Sequence, residues 1–312
     1  MELLARAEKS LIKAFDAASG QGAPPRLIAA MRDALFSGGA RIRPQLCIAV
    51  AMACSEEEQA LTDAAAAAIE LMHCASLVHD DMPAFDNADT RRGRPSVHKA
   101  HGESLALLTG DALIVMAFDV LMNAPSKHPR RVLALLQNLS AAVGVPRGLV
   151  AGQAWECENT AELTTYQRAK TGSLFLAAVR AGALACGRDP DTWDELGDCL
   201  GLAYQAADDI RDVIADPQWL GKPGGQDALL GRPNVMHELG LTDGLAYFNQ
   251  LMDRAVASVP ACPCRELLQQ LVRLESQRLI PAELIDHARH LPIWASSPER
   301  GSRHASLGMR SA

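Results

Sequence analysis

An acidic group at the end of an apolar segment constrains this chain more than any other feature of its sequence. The run 64–78 is almost wholly apolar, and three acids and two arginines follow it closely: Asp80, Asp81, Asp86, Arg91 and Arg92. Carboxylates crowded at the end of an apolar helix repel one another unless a cation lies between them. Acids that hold a divalent metal, beside arginines that take the remaining negative charge, are what a metal-bound diphosphate needs.

A second acidic group repeats this arrangement later in the chain. The apolar run 200–207 leads directly into Asp208, and Asp212 lies four residues further on, on the same face of a helix. Like charges at that spacing destabilise a bare helix, so a cationic partner is expected. One acid-rich turn alone would as readily be a solvated surface turn. Two acid-ended apolar helices instead favour one site, built by both helices across a bundle.

The composition favours helices over sheets. Of the 312 residues, 48% are hydrophobic and only 4% are aromatic, and Ala and Leu dominate. Apolar periodicity predicts long helices over residues 58–79, 97–122, 130–157, 161–187 and 190–215. No repeat or linker divides the chain, so we predict one all-α domain over residues 1–293, a bundle of long helices around a deep central cavity. Residues 294–312 are rich in Ser, Arg and Gly and are predicted to form a disordered tail.

Charge and cysteine content restrict the partners and the compartment. The formal net charge is -7, which argues against nonspecific binding to nucleic acid. The eight cysteines lie mostly singly within apolar helical patterns, and we expect them to be reduced thiols. The sequence shows no signal peptide and no charge-free apolar run of about 20 residues. We therefore expect a cytoplasmic protein without an integral membrane segment.

Seven short blocks, in order along residues 30–280, resemble those of the trans-isoprenyl diphosphate synthases, the polyprenyl synthetase family. Besides the two acidic groups, the blocks are Gly38-Gly39-Ala40-Arg41-Ile42-Arg43-Pro44, Gly152-Gln153, Lys170-Thr171-Gly172, Tyr204-Gln205 and Gly221-Lys222. The resemblance implies the isoprenoid synthase fold and a homodimer. It also implies head-to-tail condensation of isopentenyl diphosphate with an allylic diphosphate, such as dimethylallyl, geranyl or farnesyl diphosphate.

The same resemblance implies a magnesium site with three Mg²⁺ ions. Its ligands would be Asp80, Asp86, Asp208 and, through water, Asp212. Metal ions held there would stabilise the leaving diphosphate, so that the allylic substrate ionises to a carbocation. Thr171 and Gln205 would present lone pairs to that carbocation without forming a covalent bond.

The family resemblance also assigns basic residues to two diphosphate sites. Those that match the family's allylic diphosphate site are Arg91, Lys170 and Lys222. Those that match its isopentenyl diphosphate site are Arg43, His73 and Arg92. In one departure, Ala40 stands where the family carries a Lys of the isopentenyl diphosphate site, and Arg41 is the candidate to supply the missing charge.

Two small residues before the first acidic group bear on product length. Ala75 lies five residues before Asp80, about 7.5 Å along a helix, with Ser76 beside it. Relatives that stop at fifteen carbons often carry an aromatic residue at the position of Ala75, so the space left here predicts a C20 product, geranylgeranyl diphosphate. The alternatives are a farnesyl diphosphate synthase, a terpene cyclase on the same fold, and a non-catalytic regulatory subunit. Ala40 favours the cyclase, whereas the retained Arg43, His73 and Arg92 disfavour it. The two intact acidic groups disfavour the regulatory subunit.

Overall fold

The computed structural model describes residues 2–56, 58–158, 162–214, 234–281 and 283–285. In chain order the helices are α1 (Glu2–Ala18), α2 (Pro25–Leu35), α3 (Ile42–Ala53), α4 (Gln59–Asp80), α5 (Val97–His101), α6 (Glu103–Met122), α7 (Pro129–Val143), α8 (Leu149–Ala154), α9 (Leu163–Gln167), α10 (Ser173–Ala185), α11 (Asp194–Ile214), α12 (Val235–Ser258) and α13 (Arg265–Leu279). Strands β1 (Thr90–Arg91) and β2 (Arg94–Pro95) form an antiparallel hairpin. Lys222 and the predicted tail, 294–312, lie outside the described residues.

Helix α4 lies at the centre of the bundle. It packs against α1, α3, α6 and α10, and its Ala-rich run 64–68 is completely or almost completely buried. Small side chains let helix backbones approach closely, and the same device recurs between α3 and α10. There, a Cβ on Gly182 would lie 2.4 Å from the carbonyl oxygen of Cys47. Close packing therefore fixes the direction of α4 and with it the position of Asp80 at the end of this helix.

Two of the long helices predicted from periodicity are interrupted in the structure. The helix predicted over 97–122 breaks at Gly102, whose positive φ of 90° ends α5 before α6 begins. The helix predicted over 130–157 breaks between α7 and α8, around the cis bond between Val145 and Pro146. Gly102 lies at the first break, and Gly144 and Pro146 lie at the second; a count of apolar spacing gives no weight to such helix-breaking residues.

A π-helical turn, Arg168–Gly172, joins α9 to α10. Glycines on two neighbouring helices make room for it. A Cβ on Gly152 of α8 would lie 2.2 Å from the backbone nitrogen of Lys170, and a Cβ on Gly201 of α11 would lie 2.5 Å from the Cα of Gly172. Either side chain would displace the turn, so both glycines are needed for this packing.

Helices α4 and α6 are each long and apolar enough to cross a membrane by length and composition alone. The apolar window of α4 is 72% buried inside the bundle, as expected of a core helix. That of α6 is only 39% buried, so α6 presents a large apolar face away from the bundle.

Candidate active site

The acids predicted at the ends of two helices face one cavity. Asp80 at the end of α4, Asp86 in the following loop and Asp208 of α11 all line a cavity of about 440 Å³. Asp212, one turn beyond Asp208, is not among the lining residues. Within the described part of the chain, no three acidic, His or Cys side chains converge into a preformed metal cluster. The carboxylate oxygens of Asp80, Asp86 and Asp208 are the type of donor that Mg²⁺ prefers, and Mg²⁺ is commonly held by one or two carboxylates together with substrate phosphates.

The side chain of Asp80 is 14% exposed, against 38% for that of Asp208, so Asp80 is the more enclosed of the two. Burial raises the pKa of its carboxyl, while Lys170, whose Nζ lies 3.8 Å from Oδ2, opposes that rise. The side-chain amide of Gln153 donates a hydrogen bond to Oδ1 of Asp80. The other amide atom of Gln153, Oε1, is buried and has no hydrogen-bond partner. A buried orphan oxygen beside a carboxylate fits a site completed by a cation or its bound water.

Lys170 has a carboxylate partner that the sequence reasoning missed. Its Nζ lies 2.5 Å from Oε1 of Glu156, and the hydroxyl of Tyr166 donates to the same oxygen at 2.5 Å. Helical spacing places Glu156 near Gln153 and Tyr166 near Lys170, but it gives no signal that these two pairs meet. Lys170 therefore lies between two carboxylates, those of Glu156 and Asp80.

Arg91 and Arg92 line the cavity from the tip of the β1–β2 hairpin. The two residues between the strands, Arg92 and Gly93, have φ values of 53° and 73°, the signs required by a type I′ turn. The guanidinium of Arg92 donates to the carbonyl oxygen of Gly38. A Cβ on Gly39 would lie 2.5 Å from Cζ of Arg92, so the Gly-Gly block leaves room for this side chain.

Arg43, His73 and Arg92, assigned to the second diphosphate, line the same cavity. The guanidinium carbon of Arg43 lies 4.3 Å from the ring centroid of Phe175 and 5.3 Å from that of Tyr204. Its Nε is buried without a partner. Burial, and then the charges of Arg43 and Arg92, lower the pKa of His73 well below its usual range. His73 is therefore neutral and has one ring N–H to donate.

Arg41 does not supply the charge that is missing at Ala40. It is 3% exposed, and its guanidinium is occupied by Glu8 and Glu70, each at 2.8 Å, and by the carbonyl oxygen of Leu35. It is not among the residues that line the cavity. The expectation that Arg41 compensates is therefore wrong, because this residue serves to tie α1, α3 and α4 together.

Thr171 and Gln205 both line the cavity and are joined by a hydrogen bond. The hydroxyl of Thr171 donates to Oε1 of Gln205 at 2.6 Å, and Nε2 of Gln205 donates to Asp209 at 2.8 Å. Asp209 is 1% exposed and also accepts from the backbone N–H of Val235 at 2.9 Å. Asp209 thus anchors α12 to α11 and holds Gln205 with its oxygen toward Thr171.

The two residues assigned to product length occupy different positions. Ser76 lines the cavity, one turn before Asp80, and its hydroxyl donates to the carbonyl oxygen of His73. Ala75 is 1% exposed, belongs to the hydrophobic core and is not among the lining residues. The apolar part of the cavity wall includes Leu77, Leu149, Leu174, Leu279 and Leu284. Side chains from α13 had not been expected there.

The lowered pKa of His73 predicts acid sensitivity. The unfolded chain takes up a proton near the ordinary pKa of about 6.5, while the folded chain does not, so protonation favours unfolding. We expect the contribution of His73 to stability to fall as pH drops below about 6.5, by at most about 1.4 kcal/mol per pH unit. Urea denaturation at several pH values measures it. His73→Gln should flatten the dependence and His128→Gln, at an exposed position, should not; equal slopes in wild type and His73→Gln would contradict the assignment.

Carboxylates and guanidinium groups around one partly apolar cavity, inside an all-α bundle, define a synthase of the isoprenoid fold class. The chain belongs to the polyprenyl synthetase family, whose model matches residues 24–258. It is 47% identical over 279 residues to the geranylgeranyl diphosphate synthase of Cereibacter sphaeroides, covering 89% of this chain and 97% of that one. The predicted fold and family are thereby confirmed.

Solved structures give the same result. An FPP/GFPP synthase from Zymomonas mobilis, solved in its apo form, is 31% identical with a TM-score of 0.75, over 88% of this chain and 99% of that one. A geranyltransferase from Helicobacter pylori, complexed with magnesium and isoprenyl diphosphate, is 28% identical with a TM-score of 0.75, over 89% of this chain and 98% of that one.

Proposed function

We propose that this protein is a prenyltransferase that condenses isopentenyl diphosphate with allylic diphosphates and ends at the C20 product, geranylgeranyl diphosphate. The observation that carries the proposal is the cavity itself, which is lined by Asp80 and Asp208 from two helices together with Lys170 and five arginines. The similarity to a geranylgeranyl diphosphate synthase supports the C20 product.

Magnesium fits the donor set, because the candidate ligands are oxygen atoms and the amide oxygen of Gln153 is buried without a partner. The residues that would hold three ions are Asp80, Asp86 and Asp208, with Asp212 acting through water. The magnesium complex of the Helicobacter pylori relative supports the choice of metal. When bound, magnesium neutralises the charge of the leaving diphosphate.

The residues of the chain then bind and orient the allylic substrate. Arg91 and Lys170, with Lys222 from outside the described residues, take the remaining charge of the allylic diphosphate as its C–O bond breaks. The oxygens of Thr171 and Gln205, joined by a hydrogen bond, would present lone pairs to the cationic carbons without forming a covalent bond. Apolar side chains along the cavity wall exclude water from the carbocation.

Isopentenyl diphosphate would occupy the second group of basic residues. Arg43 and Arg92 bind its diphosphate by charge, and neutral His73 donates a hydrogen bond. The alkene then attacks the allylic carbocation, and the departing diphosphate takes the proton that is lost. Ala40 leaves this group one cation smaller than in the family pattern.

One assay separates the candidate functions. Labelled isopentenyl diphosphate is incubated with dimethylallyl, geranyl or farnesyl diphosphate, and the products are separated by chain length. Linear C20 diphosphate that disappears when EDTA removes magnesium supports the proposal, and accumulation at C15 identifies a farnesyl diphosphate synthase. Hydrocarbon from a preformed prenyl diphosphate alone identifies a terpene cyclase. Inactivity with every starter, together with stimulation of an active synthase, identifies a regulatory subunit.

The exposed face of α6 supports a homodimer. Leu108, Val115 and Met122 recur every seven residues along it and are 51%, 59% and 56% exposed. A stripe at that spacing runs along one side of a helix and can pack against an antiparallel or parallel copy of itself. We propose that two copies cover this stripe, and that the protein is cytoplasmic, since association would bury the apolar face that a membrane would otherwise attract.

Val115→Glu is expected to convert the dimer to a monomer, because it places two charges in the centre of a dry interface. Light scattering after size-exclusion chromatography measures the mass. Leu274→Glu on α13, at a position 63% exposed, is the matched control and should leave the mass unchanged. A wild-type monomer, or wild-type protein that pellets with lipid vesicles while Val115→Glu does not, would contradict the dimer.

A further inference from the structure

The adjacent acids Asp80 and Asp81 face in different directions. Asp80 lines the cavity, whereas Asp81 is 2% exposed and is not among the lining residues. Both carboxylate oxygens of Asp81 accept from Arg91, with its Nε at 3.0 Å from Oδ1 and 3.2 Å from Oδ2, and its Nη2 also donates to Oδ1. Arg91 itself lines the cavity.

We propose that Asp81 is a positioning residue for Arg91 and takes no part in binding metal. The paired hydrogen bonds hold the guanidinium plane against the cavity wall, and the N–H groups on its other edge remain for the allylic diphosphate. This inference rests on the proposed function, since it assigns a substrate to Arg91. It separates the first acidic group into cavity-facing acids, Asp80 and Asp86, and one acid that fixes an arginine.

The backbone around Asp81 is rigid enough for this role. Its N–H donates to the carbonyl oxygen of Leu77 at 3.1 Å, which completes the last turn of α4. Its own carbonyl oxygen accepts from the N–H of Ala88 at 3.1 Å, which closes the loop that carries Asp86. Arg91 is held at the other end by the β1–β2 hairpin. Both partners are thus fixed before any substrate arrives, and the long side chain of Arg91 loses little further entropy on binding.

Charge and geometry predict opposite effects of removing the Asp81 carboxylate. If only charge mattered, Asp81→Asn would remove the negative charge that partly neutralises Arg91. The net positive charge near the cavity would rise, and an anionic diphosphate would bind more tightly. If Asp81 positions Arg91, the same change loosens the guanidinium and weakens binding. Asn preserves the size of the side chain, so it tests the paired hydrogen bonds without opening a cavity.

The test measures KM for the allylic diphosphate, KM for isopentenyl diphosphate and the magnesium concentration for half activity. Asp81→Asn is expected to raise the allylic KM about tenfold, with the other two values within about twofold of wild type. Asp86→Asn serves as the comparison and should raise the magnesium requirement. In an Arg91→Gln background, Asp81→Asn should have almost no further effect, because its partner is gone.

Several outcomes would overturn the role of Asp81. These are a magnesium requirement that rises as it does in Asp86→Asn, an allylic KM that is unchanged or lower, and additive effects in the double variant. If Asp81→Asn unfolds, Arg91→Lys replaces it, since Lys keeps the charge but cannot make the paired bonds, and it should raise the same KM alone. Wild-type protein inactive with every starter would refute the proposed function instead, so the two failures are distinguishable.

Discussion

Asp80→Asn and Asp208→Asn are each expected to lower kcat for condensation by about 1000-fold or more while the protein stays folded. Each carboxylate would hold magnesium against the leaving diphosphate, and losing about 4 kcal/mol of transition-state stabilisation slows a reaction about 1000-fold. The loss should persist at saturating substrate, because the interaction strengthens as the C–O bond breaks. Single-turnover measurement of product formation, with circular dichroism to verify folding, gives the result.

Asp16→Asn is the matched control for these variants. Asp16 is an exposed acid on α1, away from the cavity, so its loss removes the same charge without removing a candidate ligand. Its kcat should stay within about twofold of wild type, as is usual for an exposed surface substitution. A pair of site variants with near-normal kcat would refute the shared metal site, and a defect in one variant alone would restrict the site to a single helix.

Ser76→Phe is expected to shift the products from C20 to C15 or shorter. Ser76 lines the cavity one turn before Asp80, so a phenyl ring there occupies space that the growing prenyl chain needs. Ser76→Ala is the size control and should leave the product length unchanged. Thin-layer or liquid chromatography of dephosphorylated products measures the distribution, and an unchanged C20 product in Ser76→Phe would contradict this position for the tail.

Ala75→Phe separates the two residues that the sequence assigned to product length. Because Ala75 is 1% exposed and lies in the core, a phenyl ring there must overpack its neighbours, at a cost of about 1–3 kcal/mol in the free energy of unfolding. We expect Ala75→Phe to lose stability more than Ser76→Phe and to shorten the product less. The reverse order would show that the chain passes behind α4 on the Ala75 side.

The sequence was informative where function depends on local periodicity. Asp80 and Asp208 each end an apolar run, and this pattern sufficed to predict that the two acids would share one site. In the structure both line the same cavity. The family resemblance added the identity of the basic residues. Arg43, His73, Arg92 and Lys170 all line the cavity, although their separation along the chain gives no reason for it.

Sequence reasoning was wrong or silent where a residue's role depends on which partner tertiary packing brings to it. Arg41 and Arg43 are two positions apart and equally basic, yet only Arg43 lines the cavity, because Glu8 and Glu70 hold Arg41. The contact of Glu156 with Lys170 was missed for the same reason, since it depends on the packing of the π-helical turn against Gly152. Partners of this kind belong to other helices, and no spacing rule reaches them.

The π-helical turn ties the chemistry of this protein to its architecture. A turn of this kind carries about one residue more than an α-helical turn and so rotates the following helix by about 100°. Lys170 and Thr171 can therefore line the cavity while Gly182, further along, still fits against the backbone of α3. Deleting one residue from 168–172 is therefore expected to displace either Lys170 from the cavity or Gly182 from its contact with α3.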